Sequence, residues 1–134
     1  MKYEEDFPAA ARRHLHDGKL LAEHNRLDNA GYHFGLAAEC ALKAAMRSIN
    51  IPTKEFMVGE KDAYYIHFPK LKNIALKHTG RISKQVSESL GKSSFMQYWE
   101  IKMRYSKKVV EGKQCEAWAN QAEEFVKSCF VVGL

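Results

Sequence analysis

The sequence predicts an all-α fold, a single helical bundle, and three observations carry that prediction. Residues 29 to 49, Asn29 to Ile49, are apolar or small nearly all round, the composition of a helix buried in the middle of a bundle. Two further stretches, 7 to 24 and 114 to 131, repeat apolar residues at helical spacing. The portion that alternates like a strand, Ile101 to Tyr105, has no second strand to pair with, and a lone strand is not stable. At 134 residues and 46% hydrophobic content the chain holds one core and is too short for two comfortable domains. Residues 1–134 are therefore read as one domain.

Asp6-Phe7-Pro8 is a helix entrance, with Asp6 as N-cap and the proline in the first turn, where its missing N–H costs nothing. Phe7, Ala11, Leu15, Gly18, Leu21 and Ala22 then recur at helical spacing, so the first helix runs to about His24. Arg12, Arg13, His14 and His16 near its start are expected on the surface. The short polar link His24 to Asn29, with Asp28 or Asn29 as the next cap, makes the first two helices an antiparallel hairpin. Ala30, Ala37, Ala41, Ala44 and Ala45 let neighbours approach the second helix closely, and Ile51 before Pro52 stops it near Ser48.

Residues 53 to 66 read as a long loop. A third helix opens at His67-Phe68-Pro69, with Leu71, Ile74 and Ala75 inward, and ends near Gly80. His67 is expected to cap it or to touch a ligand, with capping the plainer role. Ile82, Val86 and Leu90 mark a short amphipathic helix over 81 to 90, closed by Gly91. Ser93 to Lys108 is expected to be irregular and draped on the bundle. The last helix, 114 to 131, turns Cys115, Trp118, Ala122, Phe125, Val126 and Cys129 inward.

The net charge of +5 is too mild by itself to demand nucleic acid, but its distribution is uneven. Between Lys70 and Lys113 eleven basic residues face three acidic ones, while the rest of the chain carries ten basic and thirteen acidic. Such a patch suits phosphates, RNA or an acidic partner; the bland alternative is a solvated lysine-rich face. Cys40, Cys115 and Cys129 have no metal-ligand spacing and read as small buried hydrophobes. Met1 to Asp6 is polar and acidic, unlike a signal peptide, and no apolar run approaches a membrane span. A reducing cytoplasm is the expected compartment.

No glycine-rich phosphate loop, His-Glu-x-x-His, Cys-x-x-Cys or nucleophile elbow occurs, so no metal and no cofactor is expected and no catalytic residue is assigned. Two constellations remain. Glu39, Lys43 and Arg47 follow at four-residue steps on the central helix. They form either a salt bridge at the helix rim or a row in which Lys43 and Arg47 neutralise phosphate while Glu39 fixes their geometry. In the second, Tyr98 to Tyr105 interleaves aromatic rings with Lys102 and Arg104, the combination that stacks bases and holds phosphates. Ordinary core packing of Trp99, Ile101 and Met103 is the alternative.

The run Asp28 to Ala45, with Glu39 and Lys43 four apart, followed by the loop, His67 and the Trp99 to Tyr105 segment, resembles the HEPN domain family over the whole chain. The resemblance implies a four- to five-helix up-and-down bundle, usually a homodimer, whose basic cleft serves nucleotide or RNA. Taken with the two constellations, it points to nucleotide- or phosphate-binding roles for Glu39, Lys43, Arg47, His67, Lys102, Arg104 and Tyr105, the resemblance itself matching Glu39 and Lys43 of the row and Arg104 and Tyr105 of the segment. Many members are metal-independent ribonucleases in which an arginine and a histidine four to six residues later surround the scissile phosphate. Here Arg104 has no histidine after it, since none follows His78, and the literal match, Arg26 to His33, straddles the first interhelical turn. A binder of nucleotide or RNA that also takes a protein partner, such as a small nucleotidyltransferase of the toxin-antitoxin kind, is therefore the first expectation. A ribonuclease using Arg26 and His33, or Arg104 with another base, is the second, and a pure interaction module the third.

Overall fold

Asp6 caps the first helix as its sequence dictates: its Oδ1 accepts from Ala9 N–H at 3.0 Å, an N-cap contact worth about 1 kcal/mol. In the computed structural model, which describes residues 3–49 and 65–130, the order is α1 Phe7–Glu23, α2 Leu27–Ser48, α3 Lys70–Leu76, α4 Lys84–Gly91, a 3-10 turn Ile101–Tyr105 and α5 Gly112–Phe130. The fold is an all-α bundle, with no strand among the described residues. Asn25, with φ of 57°, makes the tight turn that folds α2 back on α1, a left-handed position that asparagine tolerates. The end of the final helix at Val131 and the loop from 53 to 64 lie outside the described residues.

α2 is the central element. It packs on both α1 and α5, which also touch each other, while α3 lies on α4 and α4 on α5. Ala30, Ala37, Ala38 and Ala41 are fully buried, as are Phe34, Leu42 and Met46. Small side chains on several faces let both long neighbours approach its backbone. Gly31 and Gly35 extend this to a third contact. An ideal Cβ at Gly31 would stand 2.9 Å from the Trp118 ring, and one at Gly35 would overlap the Trp99 indole. Trp99 lies in the groove they leave, donating from Nε1 to Gly31 O at 3.0 Å and stacking on Tyr32 with centroids 6.2 Å apart. An aromatic group joins this anchor to the rest of the core: Phe68 meets Trp99 and Phe95 edge-on, and Phe95 lies 4.7 Å from Phe125.

Several local expectations are corrected. α2 begins at Leu27 with Arg26 at the cap position and no side-chain cap. Asp28, expected to cap, sits in the first turn and accepts instead from Val110 N–H at 2.7 Å, tying the chain before α5 to α2. α4 starts at Lys84, capped by Ser83, whose Oγ accepts from Val86 N–H. His67 does not cap α3 with its side chain; its backbone carbonyl accepts from Leu71 N–H, and its ring turns to Glu39. His14, expected on the surface, is half-buried against α2. Ile101 and Met103 are half-buried rather than core, because Trp99 takes the groove and leaves them at its edge.

Candidate functional site

Glu39 is a carboxylate in the middle of the core, 1% exposed. Burial of a charge is costly unless its lone pairs are filled. Here both oxygens are engaged: Oε1 is 2.8 Å from His67 Nδ1, and Oε2 accepts from Phe68 N–H at 2.7 Å. One side chain of α2 thus fixes the two residues that lead into α3. An ionised carboxylate only accepts, so Glu39 Oε1 accepts from His67 Nδ1–H and orients the imidazole. The structure brings Glu39 and His67 together, as two of the residues singled out in the sequence.

Lys43, one turn further along α2, is 6% exposed. Its Nζ makes no hydrogen bond or ion pair among the described residues and lies 5.8 Å from the centre of the Phe7 ring. Burial lowers its pKa, with Glu39 nearby opposing the shift. The expected Glu39–Lys43 salt bridge is not formed, because the Glu39 oxygens are turned toward His67 and Phe68. Arg47 diverges from both: it reaches Glu5 at 3.2 Å and stacks its guanidinium 4.5 Å over Phe7. The four-residue row therefore splits into a buried anchor, a nearly buried cation and an exposed ion pair.

The second constellation is placed differently. Trp99 points inward while Tyr98 and Tyr105 stand out, 78% and 80% exposed, with Lys102 and Arg104 exposed between them on the 3-10 turn. The Arg104 guanidinium lies 5.1 Å from the Tyr105 ring centre. Lys107 and Lys108 continue the exposed basic row. This strip is pinned from beneath by α5. Gln121 accepts from Met96 N–H at 2.7 Å and donates to Ser94 O, and Trp118 Nε1 donates to Gln97 O at 3.0 Å. Met96 and Tyr98 hold φ of 51° and 70°. For side chains of this size the left-handed region costs about 1–2 kcal/mol each. That conformation faces Tyr98 outward and Trp99 inward at adjacent positions.

Arg104 is not brought to Glu39 or Lys43. No hydrogen bond, ion pair or ring contact joins it to either among the described residues. Trp99 crosses α2 at Gly31 and Gly35, roughly one to three turns before Glu39 and Lys43. Arg26 and His33 are likewise separate, at the cap of α2 and roughly 10 Å along it.

His33 instead pairs with His14 across the hairpin, with Nδ1 to Nδ1 at 3.0 Å. One ring must donate and the other accept, so the contact requires at least one neutral imidazole. Burial first, then the charge on His33 and on Arg13, pushes the His14 pKa down to about 4 against the pull of Asp17. His33 is lowered too, chiefly by burial. The pair escaped sequence reading because its members lie on different helices, though both stand at similar distances from the turn at Asn25. Among the described residues no group of three or more His, Cys, Asp or Glu is placed to hold a metal, and no helix is long and apolar enough to cross a membrane.

A half-open cleft of about 250 Å³ lies between the entrance to α3 and the 93–100 segment. Phe68, Phe95, Met96 and Trp99, all nearly buried, form its apolar floor, with Pro69 and Tyr98 exposed at its edge. Lys72, Ser93, Gln97 and Glu100 supply its polar groups. The Glu39 carboxylate holds the Phe68 amide. No family model, no curated protein and no solved structure matches this chain.

Proposed function

We propose that this bundle binds single-stranded RNA or a nucleotide through the strip from Tyr98 to Lys108. The observation that carries the reading is the exposure of Tyr98 and Tyr105 with Lys102 and Arg104 between them. It is the combination that matters: bases stack on exposed rings while neighbouring cations hold the backbone. Charge supports the same face: of the eleven Lys and Arg from Lys70 to Lys113, all but Lys72 are exposed. The backbone of residues 94–97, which leads into the strip, is held by α5 and sets where the strip begins. The HEPN resemblance extends the proposal to a protein partner, a second copy of the chain or a small nucleotidyltransferase. The proposal is one of binding and assigns no cleavage step.

The test is the salt dependence of binding to a labelled single-stranded RNA. Removing one cation that neutralises a phosphate should reduce the slope of log K against log salt by about 0.7. Lys102→Ala with Arg104→Ala is therefore expected to flatten the slope by about 1.4 and to weaken binding at low salt. Equal slopes for the native chain and the double variant would remove these residues from the interface.

A further inference from the structure

The half-open cleft beside the strip has a composition that the strip alone does not use. Its floor is apolar, formed by Phe68, Phe95, Met96 and Trp99, each 5% exposed or less, and Pro69 and the exposed Tyr98 ring stand at its rim. Its volume of about 250 Å³ is below the roughly 300–1,000 Å³ of sites for drug-sized ligands and suits one planar ring system. Two of its polar groups differ in availability. The Lys72 ammonium is committed to the carbonyl oxygens of Lys92 at 2.8 Å and Phe95 at 3.4 Å, which closes one end. Glu100, exposed and next to Trp99 in the chain, also lines the cleft, and its carboxylate has no hydrogen bond or ion pair among the described residues.

We infer that this cleft is a base-reading slot for the RNA bound along the strip, and that Glu100 makes it prefer guanine. An ionised carboxylate only accepts hydrogen bonds. Guanine offers it two adjacent donors, N1–H and the N2 amino group, which match both oxygens in the bidentate geometry that makes charge-assisted contacts selective. Adenine and cytosine offer an amino group beside an acceptor, and uracil one N–H between two carbonyl oxygens. An acceptor facing the carboxylate repels it, so the three other bases make one contact fewer or gain a repulsion. The Glu39 carboxylate acts here as a positioning residue. By holding Phe68 N–H at 2.7 Å and His67 at 2.8 Å it fixes the entrance to α3, and with it Pro69 at the rim of the cleft, without reaching the ligand itself.

This inference rests on RNA binding by the strip, and the experiment separates the two. The full chain is titrated with a short oligouridine and with the same oligomer carrying one guanosine, by fluorescence anisotropy. In parallel, guanosine and uridine monophosphates are titrated while Trp fluorescence is followed. The guanosine-containing oligomer is expected to bind about fivefold more tightly than oligouridine, the low end for one bidentate contact at an exposed site. Glu100→Gln replaces one acceptor by a donor and should bring the two oligomers within about twofold of each other; the lost negative charge raises the affinity of both alike, so their ratio is the readout. Lys102→Ala should weaken both oligomers equally and keep the guanosine preference. Oligouridine binding with no guanosine preference, or a preference that survives Glu100→Gln, overturns the slot and leaves the strip standing. Guanosine monophosphate binding with no RNA binding overturns the strip and supports the slot as an independent nucleotide site. Binding of neither overturns both.

Discussion

At the scale of single residues, Glu39 shows how a polar group is kept inside an alanine-rich core. Its two oxygens take donors from His67 and Phe68, and no buried polar side-chain atom among the described residues is left without a partner. Glu39→Leu removes both acceptors and leaves the buried Phe68 N–H without a partner. A loss of about 2–3 kcal/mol in urea-unfolding stability is expected, the cost of an unsatisfied buried donor. His67→Ala should cost less, since its ring is about one-third exposed and removal opens a path for water to the freed oxygen. The His14–His33 pair makes a prediction of a different kind. The His14 pKa in the folded chain is about 4 against an ordinary 6.5, so the unfolded chain binds more protons in between. Stability is therefore full above about pH 6.5 and falls as the pH drops toward 4, where the loss levels off. The rings are partly exposed, so solvent screening reduces this contribution to on the order of 1 kcal/mol. Thermal melts from pH 7 to 4 should show the decline flattened in His14→Phe, and an equal decline in the variant would assign it to other groups.

At the scale of elements, α2 organises everything else, and much of it was legible. Its alanine-rich run, the hairpin with α1, the Asp6 cap and the inward face of α5 follow from spacing and small-residue content, which depend on local sequence alone. What was not legible depends on contacts between distant segments. Asp28 reads as a cap by type, yet its oxygen is used by Val110, far along the chain. Gln121 reads as a surface residue of α5, yet it holds the backbone at Ser94 and Met96. At Gly31 and Gly35 only the positions of Trp118 and Trp99 respectively show why side chains are excluded. Of the candidate site, the sequence singled out Glu39 and His67 separately and Lys102 with Arg104, but not that the first two meet and the last two stand apart. Gly35→Ala tests this element directly. The added methyl would drive the Trp99 indole from its groove and break its bond to Gly31 O. A loss of about 2–4 kcal/mol, in the range for overpacking with a buried bond broken, and a red-shifted Trp emission are expected. Unchanged emission would mean that Trp99 is not held by this groove.

At the scale of the whole molecule, charge and shape divide the chain into a scaffold and a working face. The three long helices bury most of the apolar residues, and the acidic excess lies outside the third quarter of the sequence. The basic excess is carried by α3, the link from α3 to α4 and the segment before α5, and this part of the chain connects to the scaffold through Trp99, Phe68 and Phe95. Binding at this face should therefore depend on its own side chains and leave the bundle unchanged. The most direct measurement is the affinity of a labelled single-stranded RNA for the native chain and for the Tyr98→Ala, Tyr105→Ala double variant, with helicity checked by circular dichroism. Each ring is expected to contribute about 1 kcal/mol of stacking, so the double variant should bind at least tenfold more weakly with unchanged helix content. Equal affinity for the two proteins, or no binding by either, would contradict the assignment of this strip as a surface for RNA.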